Sequence, residues 1–299
     1  MSARGFDLAI LALGVVAVST AAVLIREADA PSLVIAAYRL LIASLPLLIL
    51  AGVRRQTLLP SAASFVLLTP LSGAFLATHF ALWIAAVNQT SIVTSVVLVT
   101  TTPLFVGLAG GPLLGERPGR TIWLALAVTA VGTLVMVTED FDAGGDTLVG
   151  DAFALLAAIF ASGYLMVGRR LLGSGAAWLP YITVTYSTAA VLLLAAVLVA
   201  GDALGGYSGR TFSFLVLLAL VPQLIGHTAV NRSLGHLPAI VVSLAVLGEP
   251  VGATILAAVF LDEDPTLIQL AGGLLVLAGV AIGIRGDVQV GPVIAPRSP

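Results

Sequence analysis

Ten apolar runs dominate the chain, and most are joined by connectors of only five to ten residues. They fall at about 7–25, 33–52, 65–87, 92–114, 121–138, 150–168, 180–200, 212–234, 238–260 and 267–284. A helix rising 1.5 Å per residue needs about 17–25 apolar residues to cross a hydrocarbon core of ~30 Å. The runs meet that length, so the pattern predicts an all-α polytopic membrane protein of ten transmembrane helices. Composition agrees: 59% of the residues are hydrophobic and 9% are charged, against about 25% charged in soluble domains. The short connectors leave no room for a soluble domain. The first run, followed by Ala28-Asp29-Ala30, has the outline of a secretory signal, but it exceeds the usual 7–15-residue core and nine further runs follow. It is read as the first span.

The charges that remain are placed unevenly. With the N-terminus in the cytoplasm, Arg4, Arg54, Arg55, Arg117, Arg120, Arg169, Arg170, Arg232, Arg285 and Arg297 fall on the inner side. Only Arg26 and Arg210 fall outside, and Arg39 lies within a span. That asymmetry obeys the positive-inside rule and predicts a plasma (inner) membrane protein with both ends cytoplasmic. Acidic residues crowd the opposite side: Glu27, Asp29, the stretch Glu139 to Asp146, and Asp262 to Asp264. The net charge of −2 offers no basic field for nucleic acid. The absence of cysteine excludes disulfides, thiol catalysis and Cys-ligated metals.

The chain writes one pattern twice. Pro103, Glu116 and Pro118 recur as Pro250, Glu263 and Pro265, each 147 residues on, and Gly132 recurs as Gly279 at the same offset. Five spans per half is an odd number, so the second half enters the membrane from the opposite face. The matched loops swap charge accordingly, Arg117 and Arg120 against Asp262 to Asp264. Inverted repeats mark many secondary transporters, whose site lies near the midplane where the repeats meet. The reading divides the chain into a first repeat, 1–141, a second, 142–287, and a disordered cytoplasmic tail, 288–299, with three prolines and no periodicity.

The pattern Pro103…Leu114-Gly115-Glu116-Arg117-Pro118, the second-half Glu249-Pro250 with Asp262-Glu263-Asp264-Pro265, and the Tyr38-Arg39 pair resemble the EamA family of the drug/metabolite transporter (DMT) superfamily. The resemblance covers nearly the whole chain. It implies two inverted five-helix repeats and export of small metabolites, commonly amino acids. Length and layout also suit aromatic amino-acid exporters of the YddG type. The expected function is alternating-access export of aromatic or neutral amino acids or related metabolites; the alternatives are a drug or other metabolite exporter on the same fold, or a passive channel.

Ionisable and polar residues within spans are candidate functional residues, because burying a charge there costs about 2.5–3.5 kcal/mol or more. Arg39, His79 and Glu249 fall at similar depths and can form one polar layer; Arg39 could equally snorkel outward. Arg39, Glu249 and His227 are assigned to gating or coupling. His79 and Trp83 lie at i and i+4, on one helical face. An imidazole beside an indole suits a zwitterion with an apolar side chain; the bland alternative is an interior histidine with an interfacial tryptophan. Pro103 and Pro250 each remove a backbone hydrogen bond mid-span, which predicts kinks lining a cavity or, more simply, packing kinks bridged by Thr100, Thr101 and Thr102. The substrate-binding set is therefore His79, Trp83, Tyr38, Thr102, Pro103, Tyr164, Ser243 and Pro250. Asn231 sits one turn from His227. Gly279-x-x-x-Gly283 predicts close helix packing, in a monomer or a weak homodimer. The three histidines, 79, 227 and 236, show no metal-ligand spacing, and neither His-Glu-x-x-His nor Gly-x-Ser-x-Gly occurs, so neither an enzyme, a metal nor a cofactor is expected. Trp123 and Trp178 read as interfacial anchors.

Overall fold

The computed structural model describes residues 3–59, 63–90, 92–137, 145–261, 266–286 and 288–290. Residues 262–265, with the repeated Glu263 and Pro265, residues 138–144 and the tail from 291 lie outside them.

Among the described residues, ten helical spans follow the apolar runs. Span one is Ala3–Val18 continued by Ala21–Glu27; span two Ser32–Val53; span three Ala63–Gln89. Span four is Ile92–Val99 and Thr102–Leu114, and span five Arg120–Val137. Spans six and seven are Gly145–Gly173 and Trp178–Ala200. Span eight runs from Gly209 to Leu234 through a π-helical stretch, Ala219–His227; span nine is Ala239–Val246 and Glu249–Phe260; span ten is Leu267–Ile284. Eight of these helices are long and apolar enough to cross a membrane, and spans five and ten contribute shorter apolar helices. Val53, Val199 and Leu267 are 76%, 90% and 84% exposed, an apolar outer surface that lipid, not water, would cover.

Two spans break where the repeated prolines fall. Pro103 cannot donate to Val99 O, its i−4 carbonyl, and that oxygen instead accepts the Thr102 hydroxyl at 2.8 Å. Thr100 and Thr101 likewise bond back to Val97 O and Leu98 O at 2.7 and 2.8 Å. Side-chain hydroxyls competing for backbone carbonyls loosen the helix, and it restarts with Pro103 in its first turn, where a missing N–H costs nothing. Span nine repeats the device: its first helix ends at Val246 and the second starts at Glu249, with Pro250 in the first turn. In span eight Pro222 sits inside the π-helical turn.

The halves pack by one rule applied twice. Span three lies along span six, and span eight along span one; span two lies against seven and five against ten. Exchanging each span for its partner five places on returns the same pairs. Individual bonds repeat too. Arg26 donates to Val87 O and Thr90 O, at 2.7 and 3.0 Å, where span three ends. Arg169 donates to Leu234 O at 3.0 Å, where span eight ends, and Leu234 lies 147 residues beyond Val87. The repeated glycines serve the five–ten contact. A Cβ on Gly132 would lie 2.7 Å from Gly272 O, and one on Gly279 would lie 2.5 Å from Thr129 Cγ2. The small-residue spacing therefore packs helices within one chain.

Where the sequence predicts a structureless tail, Val288–Val290 (β2) pairs antiparallel with Glu116–Pro118 (β1), Glu116 opposite Val290. Pro118 has no N–H to offer, which suits an edge of so short a ribbon.

Candidate functional site

The helix breaks meet the π-helical turn and spans one, two, three and six around a central cavity of about 70 Å³. By volume it holds roughly two water molecules. Its lining includes Arg39, His79, Trp83, Thr102, Pro103, Tyr164, His227, Ser243 and Glu249. Nine of the eleven candidate residues, scattered from span two to span nine, thus share one space. Two do not. Tyr38 is half-buried and donates its hydroxyl to Leu204 O at 2.6 Å, with its ring edge-on to Phe212; it ties span two to the connector between spans seven and eight. Its neighbour Arg39 turns inward because adjacent helical residues point about 100° apart. Pro250 is buried behind Glu249, shaping the break without facing the cavity.

Arg39 does not snorkel. It is fully buried: Nε donates to Gln223 Oε1 at 2.8 Å, and the guanidinium carbon lies 4.0 Å from the Phe80 ring centroid and 5.9 Å from that of Trp83. A guanidinium over an aromatic face gains about 2 kcal/mol once desolvated. Arg39 and Glu249 line the same cavity, and among the described residues no ion pair joins them. His79 and Trp83 stack with planes 5° apart and centroids 6.1 Å apart, and His79 Nδ1 lies 3.0 Å from Ala157 O. That contact requires the proton on Nδ1, since a carbonyl only accepts. His227 stands edge-on to Phe80, with centroids 5.2 Å apart, and carries an unpartnered Nδ1. Ser243 donates to Ile240 O at 3.0 Å.

Gln223 and Tyr186 are not among the sequence candidates, and the sequence marks Thr100 only as a bridge across the kink. Gln223 holds Arg39 in place, and Thr100 lines the cavity. Asn231, at the span-eight end of the site, donates to the Tyr164 hydroxyl, to Tyr186 at 3.3 Å and to His227 O at 2.7 Å. An amide inside an apolar run, one residue after Pro222, is the signal that marks Gln223.

A second polar cluster closes the arginine-rich face. Glu116, 2% exposed, accepts from Arg169 Nε at 2.6 Å and from the Ala239 backbone N–H at 2.9 Å. One carboxylate from the first half thereby fastens spans six and nine of the second. Ala239 lies 147 residues beyond Ile92, so the start of span nine matches the start of span four's first helix.

Residues 6–138 and 148–284 each match the model of the EamA-like transporter family. The chain belongs to this family. The uncharacterized transporter YdfC of Bacillus subtilis is 29% identical over 250 residues, covering 82% of this chain and 79% of that one. The pseudopaline exporter CntI of Pseudomonas aeruginosa is 26% identical over 276 residues, 91% of this chain and 93% of that one. A crystal structure of a protein 17% identical matches with a TM-score of 0.77, covering 94% of this chain and 96% of that one. The chain is thus a multi-pass membrane transporter of the EamA fold, and its cavity lies where the two matched segments meet.

Proposed function

We propose that this EamA-family transporter exports small amino-acid-like metabolites with neutral or aromatic side chains by alternating access across the plasma membrane. The observation that carries the reading is the cavity at the junction of the repeats, with a buried arginine, a buried glutamate and the stacked His79–Trp83 pair on its walls. Charged groups in a membrane interior are retained where they serve transport, and a site between repeats is reached from either face when the repeats rock. The indole and imidazole faces suit an apolar or aromatic side chain. The printed name of CntI supports export as the direction. The cavity's present size suits a closed arrangement, which must widen to take a whole substrate.

The test is counterflow in proteoliposomes. Unlabelled amino acid loaded inside should accelerate entry of labelled amino acid, with neutral and aromatic members of the panel giving the strongest exchange. A flux indifferent to the trans substrate describes a channel, and no flux for any amino acid moves the substrate to another metabolite class.

A further inference from the structure

The cavity walls carry hydrogen-bond donors that nothing among the described residues satisfies. Arg39 Nη1 and Nη2, Trp83 Nε1 and Gln223 Nε2 are buried without partners. His227 Nδ1 is a fifth nitrogen in that condition. Arg39, Trp83 and His227 line the cavity directly, and Gln223 touches Arg39. Buried polar groups are nearly always paired, because an orphan costs roughly 1–3 kcal/mol and more when charged. A convergence of orphans, at least four of them obligate donors, calls for an acceptor with several lone pairs.

Arg39 is prepared for such an acceptor. Gln223 fixes Nε, and Phe80 supports the guanidinium from one face. The two Nη groups remain as the free fork. A planar fork binds a carboxylate bidentately, and an ammonium in the same place would not. Glu249, on the same cavity without an ion pair to Arg39, leaves that fork available and supplies an acceptor for a cation nearby.

We propose that Arg39 and Trp83 form a carboxylate clamp in the central cavity, so that the transporter selects ligands bearing a free carboxylate and rejects their amides. The clamp rests on the reading of this cavity as the substrate site. It moves Arg39 from gating to substrate recognition, with Gln223 as the residue that positions it. The 70 Å³ present accommodates a carboxylate head group, and the aromatic remainder of a ligand needs the wider cavity of another state.

Equilibrium binding of labelled phenylalanine, phenylalaninamide and 3-phenylpropionate to the detergent-purified full chain tests the clamp. The wild-type protein should bind phenylalanine about tenfold or more tightly than its amide, the value of a charge-assisted bidentate contact. Arg39→Lys, which keeps the charge and loses the fork, should erase most of that preference by weakening the acid alone. Trp83→Phe removes one N–H and keeps an aromatic ring, so it should lower the acid-to-amide ratio about fivefold even if Arg39→Lys folds poorly. Equal wild-type affinity for acid and amide, binding of none of the three probes, or variants that weaken both ligands alike would each overturn the clamp. Binding of 3-phenylpropionate together with failed amino-acid counterflow would overturn the proposed substrate class and leave the clamp standing.

Discussion

Trp83 is 3% exposed and its ring is parallel to that of His79, so its removal acts on two levels at once. Truncating a buried tryptophan costs about 3–5 kcal/mol of stability whatever the site does, which is why transport has to be read per folded molecule. On that measure Trp83→Ala should reduce transport of aromatic amino acids more than that of small ones, because stacking and apolar burial grow with the ligand's side chain. His79→Ala should reduce all amino acids. A flat profile across the panel in both variants, equal to the parent's, would remove this helical face from the site. Glu116 allows a cleaner contrast. Glu116→Ala strands Arg169 and the Ala239 N–H in a buried setting and should cost about 3 kcal/mol. Glu27→Ala breaks the pair with Arg210, whose side chain is 73% exposed, and should cost under about 1 kcal/mol. Thermal unfolding in detergent separates the two, and equal melting points would refute the assignment of Glu116 as a buried fastener. Glu116 stood out in the sequence only as part of a repeated pattern. Its partner Arg169, 53 residues away, was hidden because contact across that distance depends on how spans pack. His79, Trp83, Arg39 and Glu249 were legible because a polar side chain inside an apolar run stands out at once. Tyr38 was misread for the same reason: residue type shows, and direction around the helix does not.

At the scale of elements, the breaks were legible and the π-helical turn was not. A proline mid-span announces a lost hydrogen bond, whereas π-helical winding of Ala219–His227 depends on what packs against the span, and Pro222 alone does not specify it. The glycines of spans five and ten give the sharpest element-level test. Gly132→Ala places a methyl 2.7 Å from Gly272 O and 2.8 Å from Val276 N. Gly279→Ala places one 2.9 Å from Ala125 O and 3.0 Å from Thr129 N. These neighbours are backbone and cannot swing aside, so each variant should lose about 1–3 kcal/mol by overpacking. Gly52→Ala meets nothing within 4 Å and should leave the melting temperature unchanged or slightly raised. If all three variants melt together, spans five and ten do not pack as closely as the structure has them. The ribbon between β1 and β2 escaped the sequence because three-residue strands carry no periodicity.

For the whole molecule, a pairing of spans that survives exchange of the halves and odd span counts in each half together require that equivalent loops lie on opposite faces. The Arg26 and Arg169 contacts make this concrete: they cap the ends of spans three and eight, which reach opposite sides of the membrane if the halves are inverted. Arginine placement then predicts which side is which. Reporter fusions after Arg55, Arg120, Arg170 and Arg232 should read cytoplasmic, because lysine- and arginine-rich loops stay on the side of synthesis. Fusions at Asp29 and Gly205, on the connectors after spans one and seven, should read external. The arrangement is overconstrained, since each fusion point is separated from the next by a known number of spans. A cytoplasmic signal at Gly205 alongside a cytoplasmic signal after Arg170 would mean that span seven does not cross. The second half would then hold an even number of crossings, and the inversion of the two halves would fail.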